Sequence, residues 1–165
     1  MKKPLVGILM GSDSDIDVME EGAKILKEFK IPYERVITSA HRSPKRTILY
    51  AETAASRGLK VLIAGAGAAA HLAGVVAAHT TLPVVGVPID SSSLRGLDSI
   101  LSTVQMPGGV PVAGMAIGKA GSKNAGLLAV EILALSNGSL TRRLTLYRKK
   151  MERDVIAKNK RFKKS

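Results

Sequence analysis

The sequence contains no cysteine and no tryptophan, and aromatic residues make up only 3% of its 165 positions. Without cysteine the chain can form neither a disulfide nor a thiolate metal site, and it has no cysteine nucleophile. We therefore expect it to work in the reducing cytoplasm. The scarcity of aromatic rings also argues against single-stranded nucleic-acid binding, which relies on bases stacked on aromatic side chains.

Acidic residues are few as well, with 13 against 25 lysines and arginines, which gives a net charge of +12. The excess lies at the end of the chain, where residues 142–165 carry eleven basic and two acidic side chains. A basic run of this kind attracts phosphates in nucleic-acid-binding proteins, but it is also typical of a solvated helix face. We favour the helix and expect no nucleic-acid partner.

The chain start, from Met1 to Pro4, precedes only a short apolar run and does not have the pattern of a secretory signal. Residues 61–89 contain no Asp, Glu, Lys or Arg and are long enough to span a bilayer. They are rich in Ala and Gly, however, and are interrupted by Pro83 and Pro88. We interpret them as a buried strand, a tight loop, a helix and a second buried strand, and we expect no membrane span.

Short apolar runs alternate with helical patterns along the first 135 residues. Five of these runs are predicted strands: Leu5–Met10, Tyr33–Thr38, Val61–Ala64, Val84–Val87 and Val112–Ala116. Between them, Met19, Ala23 and Leu26 share one helix face, and Ser43 before Pro44 is typical of a helix start with serine as its cap. This alternation predicts a doubly wound α/β domain with a parallel sheet.

The basic tail has its own apolar pattern. Leu140, Leu144, Tyr147 and Met151 are spaced four, three and four residues apart, and Val155 continues the series. That spacing produces a narrow apolar seam along a highly charged helix. We therefore divide the chain into a catalytic domain, residues 1–138, and a C-terminal helix, residues 139–165, which packs on its own domain or on a neighbouring subunit.

Ligands of open α/β sheets bind beyond the carboxyl ends of the strands. The first loop in such a place follows Met10, where Gly11 permits a tight turn and Ser12 and Ser14 offer hydroxyl groups before a helix. This arrangement suits a phosphate or a sugar. Ser12 and Asp15 also have the spacing of a capping box, which needs no ligand, so both interpretations stay open.

The second loop contains Ser39, His41 and Arg42. Ser39 and the forked guanidinium of Arg42 can hold a phosphate. Histidine is the side chain suited to both accepting and releasing a proton under physiological conditions, which makes His41 a candidate acid–base group. No metal-ligand spacing and no Ser–His–Asp order stands out. The chemistry that remains is proton transfer by His41 on a phosphorylated ligand.

The third loop follows the third predicted strand, and its residues Ala66 and Gly67 precede His71. Small side chains let a flat ligand approach the backbone closely, although tight packing of a helix on a strand favours the same residues. His71, at the end of this loop, is also a candidate site residue, and a purely structural role is equally open for it. His79 falls on the far side of a helical pattern, and we interpret it as structural or surface.

Six motifs in this order resemble the N5-carboxyaminoimidazole ribonucleotide mutase family of bacterial purine synthesis, and the match covers roughly residues 5–135. They are GSDSD at 11–15, SAHRSP at 39–44, AGAGAAAHLAG at 64–74, LPVVGVP at 82–88, GLDSILSTVQMPGGVPV at 96–112 and AIGKAGSKNAGLLA at 116–129. Each motif alone is weak, but the six together are specific.

The resemblance implies a flavodoxin-like, three-layer fold, an octameric assembly in which C-terminal helices reach neighbouring subunits, and no metal or organic cofactor. It implies transfer of a carboxyl group from the exocyclic nitrogen of an aminoimidazole ribonucleotide to ring carbon C4. His41 is then the general acid–base and His71 supports it. The remaining roles are phosphate binding by Ser14, Ser39 and Arg42, ribose binding by Asp15, and contacts to the ring and carboxylate by Ser12, Ala66 and Gly67.

The chain departs from the family pattern at three positions, with Ser43 for Thr, Ala68 for Gly and Ala73 for Pro.

Three functions are alternatives to the mutase. Animal-type enzymes carboxylate the free aminoimidazole ribonucleotide with CO2, but they typically have SAHK and AGRSN where this chain has SAHR and AGAGAAAH. Relatives that carboxylate a nicotinate-type mononucleotide usually carry an extra N-terminal domain. A non-enzymatic nucleic-acid module would leave the three loops unexplained.

Overall fold

Residues 3–163 are described in a computed structural model, in which the chain forms two compact units that divide between Val130 and Glu131. The strands are β1 (Val6–Met10), β2 (Tyr33–Ile37), β3 (Val61–Gly67), β4 (Val84–Ile89) and β5 (Ala113–Gly114). The helices are α1 (Ile16–Glu28), α2 (Pro44–Ala54), α3 (Leu72–Ala78), α4 (Leu97–Val104), α5 (Lys119–Ala134) and α6 (Gly138–Phe162).

All five strands form one parallel sheet in the order β2-β1-β3-β4-β5. The prediction of a parallel α/β sheet is confirmed. The apolar runs are buried, with Ile8, Leu62 and Val85 at the centre of the sheet. Strand β3 runs three residues further than predicted, to Gly67, while β5 keeps only two residues. Pro111 precedes β5 on the sheet edge, and proline cannot donate to a strand ladder.

The uncharged stretch from residue 61 to residue 89 folds as predicted. It forms β3, a tight loop, α3 and β4, with both strands buried inside the sheet. In the described part of the chain no helix has the length and apolar character that crossing a membrane requires.

Helix α2 begins at Pro44 as predicted, but the prediction that the Ser43 side chain caps it is wrong. The Ser43 hydroxyl makes no bond to the helix. It donates to the carbonyl of Ser39 at 3.0 Å and accepts the Ser39 N–H at 3.0 Å. The loop before the helix folds back and brings the polar backbone groups of Ser39 within reach. Ser43 therefore holds the second candidate loop in shape.

Helices α1 and α5 approach each other backbone to backbone. The buried Gly22 N–H donates to the Ser122 hydroxyl at 3.0 Å. A Cβ added at Gly126 would lie 2.7 Å from the carbonyl oxygen of Gly22, closer than such atoms approach in folded proteins. The helix pair therefore depends on the absence of a side chain at this contact.

The substitution Gly126→Ala is expected to lower the free energy of unfolding by about 1–3 kcal/mol, because the two backbones must separate. The effect runs against helix propensity, which favours alanine over glycine by about 1 kcal/mol. Urea unfolding followed by circular dichroism measures it. Gly108→Ala is the control, since a Cβ there meets nothing within 4 Å. Equal unfolding midpoints for the two variants would show that the helices have room to spare.

Helix α6 contains most of the basic tail. Asn137 caps it, accepting the N–H groups of Ser139 and Leu140 at 3.1 and 3.3 Å. Along the predicted seam Leu140 is buried, but Met151 is 53% exposed and Val155 is 66% exposed. The second half of the seam is therefore uncovered in the single chain, and its packing against a neighbour stays a prediction.

Candidate active site

A cavity of about 280 Å³ opens at the carboxyl ends of the central strands. The three loops singled out in the sequence meet there, because β1, β2 and β3 are neighbours in the sheet. Eight of the nine predicted site residues line the cavity: Ser12, Ser14, Asp15, Ser39, His41, Arg42, Ala66 and Gly67. The ninth, His71, does not line the cavity, but its ring contacts that of His41, which does.

The loop after β1 contains both a capping box and cavity-lining residues. The Ser12 N–H donates to the Asp15 carboxylate at 3.0 Å, and the Ser14 N–H donates to the Ser12 hydroxyl at 3.4 Å. The same three residues line the cavity. The two interpretations of this loop are therefore compatible, because the cap holds the residues in place without closing the cavity.

Asp15 is only 4% exposed although it faces the cavity. Burial raises the pKa of its carboxyl above the ordinary value, against the opposing effects of the Ser12 N–H, the Ser14 hydroxyl and the nearby Arg42 guanidinium. Keeping this carboxylate ionised thus costs the fold free energy. A carboxyl group perturbed in this way at a cavity wall is a candidate for a functional role.

Arg42 joins the second loop to the first. Its guanidinium donates to the Gly11 carbonyl at 2.9 Å, and its backbone N–H donates to the Ser39 hydroxyl at 3.2 Å. A guanidinium has five N–H donors, so most of them remain for an anion in the cavity. The contact with Gly11 fixes where that charge lies relative to Ser14.

The loop after β3 turns through an unusual backbone conformation at Ala68, whose φ of 51° lies in the left-handed region. For a residue other than glycine this conformation costs roughly 1–2 kcal/mol. The departure from the family pattern at Ala68 therefore falls on a residue whose backbone favours glycine. The turn sets the direction in which the chain runs to His71.

His41 and His71 form a hydrogen-bonded pair. The His41 Nε2 lies 2.8 Å from the His71 Nδ1, and the rings meet edge to face with centroids 4.9 Å apart. In such a contact one imidazole donates and the other accepts, so a single proton lies between the two rings. The third histidine, His79, lies elsewhere, with its Nδ1 3.4 Å from the Glu52 carboxylate, as predicted for a structural or surface residue.

One polar residue of the cavity was not predicted from the sequence. Ser91, in the loop between β4 and α4, lines the wall formed by Gly67. Its place directly after a strand, beside β3, is the signal that could have found it. Within residues 3–163 no group of three or more carboxylate or imidazole side chains is placed to hold a metal ion.

Comparisons with known proteins agree on one family. Residues 5–154 match the model of the AIR carboxylase family. The chain is 56% identical over 161 residues to the N5-carboxyaminoimidazole ribonucleotide mutase of Pyrococcus horikoshii, covering 98% of this chain and 90% of that protein. It is 54% identical to the phosphoribosylaminoimidazole carboxylase of Schizosaccharomyces pombe, over 99% of this chain but 29% of that larger protein. The crystal structure of Treponema denticola PurE superposes with a TM-score of 0.83 and 32% identity, covering 93% of this chain and 94% of that one. The chain belongs to the AIR carboxylase family.

Proposed function

We propose that this chain is an N5-carboxyaminoimidazole ribonucleotide mutase, which converts its substrate to 4-carboxy-5-aminoimidazole ribonucleotide in purine synthesis. The observation that carries the proposal is the position of His41, at the wall of a cavity that also presents an arginine, an aspartate and four serines. The similarity to the Pyrococcus horikoshii mutase over 98% of the chain supports the same reaction.

The cavity suits the three parts of such a substrate. Ser14, Ser39 and Arg42 surround the place where a phosphate would lie, and the free donors of the Arg42 guanidinium supply charge and geometry for it. The Asp15 carboxylate accepts hydrogen bonds from the ribose hydroxyls. Ser12, Ala66 and Gly67 lie around the ring and its carboxylate, and the two β3 residues among them present nothing larger than a methyl group.

The reaction is an isomerisation and needs no net proton change. The bond between the exocyclic nitrogen and the carboxylate carbon breaks and releases CO2, and the nitrogen takes up a proton. Ring carbon C4, made electron-rich by the amine, attacks the CO2, and the proton on C4 then leaves. Holding the CO2 beside C4 replaces an encounter with a dilute gas, which is a large advantage for the forward step.

His41 provides the proton and takes one back. An imidazole can do both near neutral pH, where its two forms are both accessible. His71 bears on this step because its Nδ1 shares a proton with the His41 Nε2. The contact fixes the ring orientation of His41. In this arrangement His71 is a positioning residue.

An ultraviolet assay of the interconversion of the two carboxylated ribonucleotides, run without ATP, tests the proposal. We expect rapid conversion of the N-carboxylated substrate and little reaction of free aminoimidazole ribonucleotide with bicarbonate. The Schizosaccharomyces pombe relative, named a carboxylase, favours the second reaction as the alternative. Faster turnover from the free amine and bicarbonate would support that alternative, and no turnover of either would reject both.

We propose further that the protein is a cytoplasmic homo-octamer in which α6 packs on a neighbouring subunit. The exposed second half of the apolar seam, with Met151 and Val155, supports a partner of this kind. Deleting residues 140–165 is expected to reduce the oligomer mass in light scattering. The control is Met151→Leu, which keeps the seam apolar and should keep the mass. An unchanged mass after the deletion would count against packing between subunits.

A further inference from the structure

We propose that Ser91 binds the carboxyl group that this enzyme transfers, through a hydrogen bond donated by its hydroxyl. The inference rests on the proposed function and names a contact for the reacting end of the substrate. Ser91 lines the same cavity as His41, but it comes from the loop after β4, on the opposite side of β3 from the first two candidate loops.

Strand spacing places Ser91 at the far end of the substrate. The phosphate-binding residues follow β1 and β2, and neighbouring strands lie about 4.8 Å apart, so β2 and β4 are separated by roughly 14 Å across the sheet. A ribonucleotide anchored by its phosphate beside β1 and β2 extends its ring across the end of β3. The ring substituents, and not the ribose, then lie nearest to β4.

The Ser91 side chain occupies the space that a side chain at position 67 would need. A Cβ added at Gly67 would lie 1.8 Å from the Ser91 hydroxyl and 2.7 Å from the Ser91 Cβ. The missing side chain at Gly67 therefore makes room for the Ser91 hydroxyl. A group bound against Gly67 would therefore lie beside the Ser91 hydroxyl.

The Ser91 hydroxyl is available to a ligand. Its side chain is exposed, and no residue between 3 and 163 forms a hydrogen bond with it. The loop around it is held by the next residue, since the Ser92 hydroxyl donates to Asp98 at 2.7 Å and accepts the Leu94 N–H at 3.1 Å. Ser91 is thus a free donor on an anchored loop, which suits a carboxylate that lies beside the ring before and after transfer.

Calorimetric titration of Ser91→Ala with two ligands tests the assignment. One ligand is 4-carboxy-5-aminoimidazole ribonucleotide, and the other is the aminoimidazole ribonucleotide without the carboxyl group. We expect the dissociation constant of the carboxylated ligand to rise about 10-fold, the low end for a hydrogen bond to a charged group, and that of the other ligand to stay unchanged. Ser93→Ala, an exposed serine of the same loop outside the cavity, is expected to match the unaltered protein with both ligands.

The outcomes separate this inference from the proposed function. If Ser91→Ala weakens both ligands equally, Ser91 serves the loop or the ribose, and the assignment is wrong. If it weakens neither, the hydroxyl does not bind substrate. In both cases turnover by the unaltered protein would still support the mutase. If the unaltered protein neither binds nor converts these ribonucleotides, the proposed function itself fails, and with it the role of Ser91.

Discussion

Replacing His41 with asparagine is expected to lower kcat for the carboxyl transfer by about 10²- to 10⁴-fold, the range for losing a positioned general acid–base. KM should change little, because the residues assigned to the phosphate and ribose are untouched. Asparagine keeps much of the volume and the hydrogen-bonding ability of the imidazole but cannot exchange a proton near neutral pH. The measurement is steady-state conversion of the N-carboxylated ribonucleotide, together with the melting temperature.

The other two histidines of the chain, His71 and His79, provide the comparisons for His41→Asn. His71→Asn removes the partner of the His41 Nε2 and should cause a smaller loss of kcat than His41→Asn, with a displaced pH profile. His79→Asn, which alters only a contact with Glu52, should leave kcat unchanged. A purely structural role for His71 would lower the melting temperature without moving the pH profile. If His41→Asn kept near-normal turnover, the assigned chemistry would have to be abandoned.

The sequence predicted the strands well because a parallel sheet buries both faces, so its strands stand out as uninterrupted apolar runs. Val61–Ala64 and Val84–Val87 lie within β3 and β4 for this reason. The gathering of the three loops also followed, because carboxyl ends of parallel strands meet at one edge. The ends of the strands were harder to predict from the sequence, because pairing with β4 extends β3 to Gly67.

The contacts between side chains could not be predicted in the same way. His41 and His71 follow β2 and β3, which are separated by β1, and the bond between their rings depends on side-chain directions that spacing does not reveal. Ser43 has the sequence signature of a helix cap, yet its hydroxyl turns to Ser39. Ser91 lies between two recognisable motifs and reaches the cavity only because β4 pairs with β3. Each of these depends on tertiary proximity, which overrides the local pattern.

Replacing Asp15 with asparagine is expected to reduce activity while making the fold more stable at neutral pH. In the proposed complex the carboxylate accepts hydrogen bonds from the ribose hydroxyls. Losing a hydrogen bond to a charged group lowers kcat/KM by about 10- to 100-fold. Asparagine keeps an oxygen for the Ser12 N–H, so the capping contact survives. It carries no charge, so the cost of burying the carboxylate disappears. Asp17→Asn, at an exposed position in the first turn of α1, is the matched control for both readouts.

The pH dependence gives the sign of the stability effect. Burial raises the pKa of Asp15 in the folded protein, so the folded state binds this proton more tightly than the unfolded state does. Stability from this group therefore falls as pH rises through the window between the unfolded and folded values. The advantage of Asp15→Asn in melting temperature should be present at pH 7 and shrink as the pH is lowered towards 4. A variant less stable than the unaltered protein at pH 7 would show that the carboxylate is kept for the cap. We therefore expect Asp15→Asn to make the protein more stable but to weaken binding of the ribonucleotide. This combination would show that the Asp15 carboxylate serves ligand binding and not the stability of the fold.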